Sequence, residues 1–150
     1  MLPGVGAFGA AAAQLRARGL FEPLRERIAA GQPTLAICLG LQLLAERSDE
    51  SPGALGLGIL DEPVERLSGS VRVPQLGWNL VTGLGEPGFA YFAHSYRVSR
   101  PPTGFQIGWT DHGGPVIAAV RRGAVLGCQF HPELSGDWGE ALIRSWLEAT

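Results

Sequence analysis

The sequence predicts an α/β domain in which buried strands alternate with amphipathic helices. Three observations indicate this class: an apolar strand that runs directly into a helix at 33–47, a second apolar strand at 124–130, and helical spacing of apolar residues near both ends of the chain. A chain of 150 residues is long enough for one domain with a substantial core. We therefore expect a single domain over residues 1–150.

The composition excludes several functional classes. A net charge of −2 gives no electrostatic reason to bind nucleic acid or an anionic membrane. All 12 basic residues are Arg, so mechanisms that need a Lys Schiff base are excluded. Two Cys are too few for a disulfide framework, which suits a reducing cytoplasm. The sequence shows no apolar run long enough to span a membrane.

The first half of the chain predicts helices around one buried strand. Residues 1–9 form a glycine-rich loop, and no strand precedes it. Helices are predicted over 10–18 and 22–30, each ended by a glycine. After the strand, a third helix is expected to carry Gln42, Glu46 and Arg47 on its polar face.

The second half predicts strands followed by one helix. Strands are expected at 71–73, 89–96, 107–110, 115–120 and 124–130. The segment 74–79 is expected to break the first of these, with Trp78 packed in the core. The last helix should begin at Asp137, where Glu140 three residues later suggests a capping box.

Cys38 lies where the buried strand turns into the third helix. A single nucleophile-capable residue at such a turn is typical of a nucleophile elbow. The N–H groups and dipole of the following helix predict a lowered pKa for this thiol. An inert buried cysteine has the same local pattern, so on this stretch alone both interpretations stay open.

His131 and Glu133 supply the partners that such a thiol needs. If 131–133 is extended, the two side chains project to the same side, and Glu133 can hold His131 in one tautomer. The combination of an elbow Cys with a separate His-Pro-Glu tripeptide favours a catalytic triad.

These motifs resemble the class I (triad) glutamine amidotransferases. Within that class the sequence is most similar to the glutaminases of imidazole glycerol phosphate synthase. The segments that match, in family order, are 2–9, 37–42, 74–79, 94–96 and 129–133. The resemblance implies a flavodoxin-like, mostly parallel sheet with helices on both faces.

The resemblance also implies a role for each site residue. Cys38 would attack the glutamine side-chain amide, His131 would transfer protons and Glu133 would orient His131. The oxyanion would be held by the N–H of Leu39 and by the loop at Gly4 and Val5. The residues implied in substrate binding are Gln42, Glu50, His94, Ser95 and Tyr96. No metal or organic cofactor is implied.

The implied partner is a (β/α)8 synthase (cyclase) subunit in a heterodimer. Ammonia from L-glutamine would react there with the nucleotide PRFAR, giving imidazole glycerol phosphate and AICAR in histidine biosynthesis. A flip of a peptide in the loop 3–6 is a hypothesis for how the partner switches the glutaminase on.

The chain departs from the family at three places. Members usually carry a strand, a helix and a second strand before the glycine-rich loop, so we expect an N-terminally truncated domain with a coding start upstream of Met1. A fragment and a repaired fold are the other two explanations. Ala36 replaces the usual elbow Gly, and Leu134 replaces a Lys that contacts the synthase.

Three other functions remain open from the sequence. The chain could feed ammonia to a different synthase, act as an inactive interaction subunit, or serve as a thiol-redox protein of similar fold. The pairing of His131 with Glu133 and the presence of Gln42 argue against the redox alternative.

Overall fold

The computed structural model describes residues 1–69 and 71–150. Its strands are β1 (Leu2–Gly4), β2 (Thr34–Cys38), β3 (Val64–Arg66), β4 (Gln75–Val81), β5 (Gly88–His94), β6 (Tyr96–Val98), β7 (Gln106–Asp111), β8 (Pro115–Arg122) and β9 (Val125–Cys128). Its α-helices are α1 (Phe8–Ala17), α2 (Phe21–Ala29), α3 (Leu39–Gln42) and α4 (Gly136–Glu148), and Pro132–Leu134 forms a 3₁₀ turn.

A five-stranded mixed sheet with the order β1-β2-β9-β8-β7 forms the centre of the domain. β1, β2 and β9 are mutually parallel, and β8 and β7 continue the sheet in antiparallel fashion. Two antiparallel ribbons, β3–β6 and β4–β5, lie outside it. The predicted α/β class is confirmed.

β2 is buried on both faces, as its apolar sequence predicts. Leu35 and Ile37 belong to the core cluster that contains Trp146 of α4. Ala36 points the other way, into the cluster that contains Ile28 of α2. Helices therefore cover both faces of the sheet. Among the described residues, no helix has the length and apolarity needed to cross a membrane.

The start of the chain differs from the predicted loop. Leu2–Gly4 pairs with β2 as a parallel strand, so the glycine-rich segment is strand first and loop afterwards. Gly40 makes this docking possible, because a Cβ there would overlap the Leu2 carbonyl oxygen.

Four other predictions about local structure are wrong. The third helix ends at Gln42 after one turn, which leaves Glu46 and Arg47 beyond it. Residues 71–73 do not form a strand, and the segment expected to break one is instead the beginning of β4. Trp78 is 55% exposed and is not in the core. The capping box at the start of α4 is absent, and Glu140 pairs with Arg144 instead.

Candidate active site

Cys38 occupies the sharp turn between β2 and α3. Its φ of 53° and ψ of −109° are uncommon for a non-glycine residue and are the backbone signature of a nucleophile elbow. The parallel register places Gly4 of β1 beside Cys38 on one side. On the other side, Ile37 pairs with Cys128, so the chain leaving β9 passes the thiol.

The predicted lowering of the Cys38 pKa is wrong for this structure, in which the pKa of the thiol is raised. Burial is the main cause, and the negative charge of Glu133 adds to it. Hydrogen bonds from the Leu39 N–H and the Gln129 side chain act in the opposite direction. A helix of four residues provides only a small dipole, so it does not offset the loss of hydration.

His131 and Glu133 come together through a turn and not through an extended segment. His131 precedes the 3₁₀ turn Pro132–Leu134, and its Nδ1 lies 2.8 Å from Glu133 Oε1. This contact fixes the tautomer and leaves Nε2 for other partners. The backbone of His131 is held by Ser135, whose Oγ donates to the His131 carbonyl at 2.6 Å and accepts from the Tyr91 N–H at 3.0 Å.

A cavity of about 330 Å³ lies in front of the thiol. Pockets for small ligands begin at about 300 Å³, so this one suits a molecule of amino-acid size. Its lining includes nine of the residues predicted from the sequence as site residues: Val5, Cys38, Leu39, Gln42, Glu50, His94, Ser95, Tyr96 and His131. Gly4 and Glu133 lie behind this lining, beside Cys38 and His131 respectively.

Gln42 is buried at the base of the cavity and both of its amide hydrogens are engaged. Nε2 donates to the Tyr96 carbonyl at 2.8 Å and to Gln129 Oε1 at 3.2 Å. The oxygen Oε1 is therefore the group that Gln42 can offer to a ligand, and it offers an acceptor.

Glu50 also lines the cavity and lies near the beginning of α1. Its Oε2 accepts a hydrogen bond from the Phe8 N–H at 2.7 Å, and the next N–H of the helix, that of Gly9, donates to Ser51 at 3.0 Å. The Phe8 contact holds the carboxylate at the cavity wall. It is a fixed negative charge suited to an ammonium group.

His94 is buried between two acceptors. Its Nδ1 lies 2.9 Å from the Tyr96 carbonyl oxygen and its Nε2 lies 2.9 Å from Gln75 Oε1. Burial lowers the pKa of His94 to about 4, although the Tyr96 carbonyl acts to raise it. Two acceptors favour the imidazolium and burial favours the neutral ring, and burial is the larger effect.

The thiol and the imidazole line one cavity without bonding to each other. Within residues 1–69 and 71–150, the side-chain partner of Cys38 Sγ is Gln129 Nε2, at 3.8 Å. No hydrogen bond joins Cys38 to His131 in that part of the chain. Nor does any cluster of three or more His, Cys, Asp and Glu side chains there suit a metal ion.

Sequence reasoning assigned no role to Gln129 or Ser135. Gln129 had a visible signal, because it is a lone polar residue in an otherwise apolar strand that runs into His131. Ser135 had none, since its role depends on a contact with the distant strand β5.

An apolar surface lies beside the cavity mouth, on the outer face of the β4–β5 ribbon. Cross-strand pairing places Trp78 against Tyr91 and Leu80 against Phe89 on this face. Leu76 is 66% exposed and also lines the cavity. We call the outward side chains of this ribbon the ribbon face; they are Leu76, Trp78, Leu80, Phe89, Tyr91 and Ala93.

Comparison with curated proteins finds close relatives over almost the whole chain. An imidazole glycerol phosphate synthase subunit HisH from Symbiobacterium thermophilum is 43% identical over 155 residues, which cover 97% of this chain and 73% of that protein. A protein of the same name from Exiguobacterium sibiricum is 45% identical over 150 residues, covering 100% of this chain and 75% of the relative.

Solved structures and a family sequence model agree with these relatives. A crystal structure described as a glutamine amidotransferase superposes with a TM-score of 0.77 at 27% identity, covering 98% of this chain and 76% of that one. A glutamine amidotransferase from Thermotoga maritima shares the fold, with a TM-score of 0.62 at 17% identity over 97% of this chain and 60% of the other. The model described as "Glutamine amidotransferase class-I" matches residues 1–148. The chain with this elbow, imidazole and cavity belongs to the class I glutamine amidotransferase family.

Proposed function

We propose that this chain is the glutaminase subunit of an imidazole glycerol phosphate synthase. It hydrolyses L-glutamine to glutamate and ammonia, and the ammonia passes to a (β/α)8 synthase subunit that makes imidazole glycerol phosphate and AICAR in histidine biosynthesis. The observation that carries the proposal is one cavity lined by the elbow Cys38, His131 and Glu50. The identity of 43% and 45% to proteins named as synthase subunits supports the choice within the family.

The first half of the reaction makes a thioester. Cys38 Sγ gives its proton to His131 Nε2 and attacks the side-chain carbonyl carbon of glutamine. The carbonyl oxygen becomes an oxyanion, which the Leu39 N–H and an N–H of the Gly4–Val5 loop hold. His131 returns the proton to the departing nitrogen, the C–N bond breaks, and ammonia leaves.

The second half regenerates the thiol. His131 removes a proton from water, whose oxygen attacks the thioester carbon through the same oxyanion site. The C–S bond breaks, the proton returns to sulfur, and glutamate leaves. Glu133, at 2.8 Å from His131 Nδ1, stabilises the imidazolium in both halves.

The remaining wall of the cavity fits the α-amino-acid end of glutamine. Glu50 supplies a carboxylate for the ammonium group. Gln42 lines the same space and offers Oε1 as an acceptor, because both of its N–H groups are already used. The backbone at Ser95 and Tyr96 is proposed to bind the substrate carboxylate through N–H groups, since the Tyr96 carbonyl is occupied by Gln42 and His94.

The ribbon face is the proposed seat of the synthase subunit. Trp78 is 55% exposed and Phe89 is 60% exposed, which is unusual for side chains of this size on a surface without a partner. Leu76 belongs both to this face and to the cavity wall. A subunit seated there therefore covers the cavity mouth, where ammonia would leave.

Covalent labelling tests the glutaminase half of the proposal. A diazoketone analogue of glutamine should add one adduct at Cys38, detected by peptide mass spectrometry, and excess L-glutamine should protect it. Cys128 is the internal control, because it is fully buried and burial raises its pKa. The Cys38→Ala variant should take no adduct. Absence of any Cys38 adduct in the folded protein would refute the glutaminase.

Co-elution tests the synthase half. The (β/α)8 subunit should elute with this chain in gel filtration and increase glutamine hydrolysis. Trp78→Glu should abolish co-elution without changing the melting temperature, because it places a charge at the centre of an apolar interface. Leu20→Glu is the matched control, since Leu20 is 45% exposed and lies between α1 and α2. If the two variants co-elute with the (β/α)8 subunit to the same extent, the ribbon face is excluded as the binding surface.

A further inference from the structure

We infer that Gln129 is a further functional residue of the thiol site: its side-chain amide stabilises the Cys38 thiolate and fixes Gln42 as an acceptor for substrate. The catalytic consequence of this inference rests on the proposed function. Its test measures the reactivity of the Cys38 thiol itself.

The first observation is where the fold puts the side chain. β2 and β9 run parallel, with Ile37 paired to Cys128 as the last registered pair. The residue after Ile37 is Cys38, and the residue after Cys128 is Gln129. Both therefore leave the sheet at the same edge. The Gln129 N–H donates to the Ala118 carbonyl at 2.7 Å, which holds the backbone in the sheet.

The second observation is that the nitrogen and the oxygen of the Gln129 amide bond to different residues. Nε2 lies 3.8 Å from Cys38 Sγ, within reach of a hydrogen bond to sulfur, and Oε1 accepts from Gln42 Nε2 at 3.2 Å. Gln129 is completely buried. A buried amide is costly unless it is bonded, so a residue that only filled space would be better replaced by an apolar one.

The third observation is that Gln129 sets the orientation of Gln42. Each amide hydrogen of Gln42 has an acceptor, one on Gln129 and one on Tyr96. Without Gln129 Oε1, the Gln42 amide loses one of the two contacts that turn its oxygen toward the cavity. One residue therefore acts on both the nucleophile and the substrate pocket.

The chemical consequence follows from the charge on sulfur. A hydrogen bond to an ionised acceptor is stronger than one to a neutral acceptor, so the donor at Nε2 favours the thiolate over the thiol. As sulfur forms its bond to the substrate carbon, its negative charge moves to the oxyanion. The Leu39 N–H then takes over the stabilisation.

The test is the pH dependence of Cys38 alkylation by iodoacetamide in the full chain, followed by mass spectrometry. In Gln129→Met, which keeps the length and loses the donor, the midpoint should move up by about half to one pH unit, a three- to tenfold slower reaction near neutrality. Thr34→Val is the matched control: Thr34 is buried at the far end of β2, and its hydroxyl donates to the Gln32 carbonyl, away from the thiol. Its midpoint should stay unchanged.

A second variant covers the case in which Gln129→Met does not fold, as judged by thermal unfolding. Gln129→Asn keeps the amide but withdraws it by one methylene, and should shift the midpoint in the same direction. An unchanged midpoint in a folded Gln129 variant overturns the inference. This outcome is separate from failure of the proposed function, which the glutamine-analogue labelling of the parent chain detects.

Discussion

Acidification is expected to destabilise this chain through His94. Burial lowers the pKa of the ring to about 4 in the folded state, against an ordinary value of 6.5, and Arg97, His112 and His131 contribute in the same direction. The unfolded chain therefore binds the proton more tightly. The stability that the neutral His94 ring contributes is fully present above pH 6.5 and is lost as the pH falls toward 4.

The size of the effect follows from these two values. Linkage gives a loss of about 2 kcal/mol at a pH near 5 and about 3 kcal/mol below pH 4. A small domain has about 5–15 kcal/mol of total stability, so this is a large fraction. Urea unfolding followed by Trp fluorescence, at several pH values between about 7 and 5, measures the loss.

His94→Gln separates this effect from the titration of carboxylates. Gln keeps a buried amide that can donate to the Tyr96 carbonyl but does not titrate, so the variant should lose less stability than the parent between these pH values. The opposite sign would refute the reasoning. If the acceptors Tyr96 O and Gln75 Oε1, each at 2.9 Å, outweighed burial, the parent would gain stability on acidification relative to the variant.

Three further substitutions test how the site is assembled. Gly40→Ala should cost about 1–3 kcal/mol or more in urea unfolding, because the new Cβ overlaps the Leu2 carbonyl and displaces β1. Ser135→Ala should cost about 1–3 kcal/mol and reduce synthase-stimulated glutaminase activity, since the His131 carbonyl and Tyr91 N–H lose their partner. Val5→Pro removes a loop N–H and should lower that stimulated activity about 100-fold, with melting temperature unchanged; normal activity would refute the peptide-flip hypothesis.

Local chemistry was the most predictable part of this molecule. The apolar strand that ends at Cys38 determines the elbow through local sequence alone. The short spacing within the His-Pro-Glu tripeptide likewise brings His131 and Glu133 together, so both features could be expected from the sequence. The detail of that contact was wrong, because a 3₁₀ turn and not an extended segment brings the two side chains to 2.8 Å.

Features that depend on long-range packing were not predictable. The exposure of Trp78 follows from β4 pairing with β5, and a large aromatic residue alone gives no sign of which face it will occupy. The prediction of a polar helix face with Gln42, Glu46 and Arg47 was wrong for a similar reason. Gln42 is drawn into the core by acceptors on Tyr96 and Gln129, which are 54 and 87 residues away in the sequence.

The raised pKa of Cys38 changes how the site must work. α3 is a single turn and burial outweighs it, so the thiol in this structure is protonated near neutral pH. In the mechanism proposed above, the thiolate arises by proton transfer to His131, a residue that lines the same cavity but is not bonded to the sulfur among the described residues. Reactivity therefore depends on bringing these two groups together, with the donor at Gln129 and the N–H of Leu39 favouring the charged sulfur as that happens. The His131 N–H donates a hydrogen bond to the carbonyl of Tyr91 in the ribbon at 2.9 Å. If the synthase subunit binds the ribbon face as proposed, it would contact the strand whose backbone bonds to His131, and the imidazole could respond to its binding.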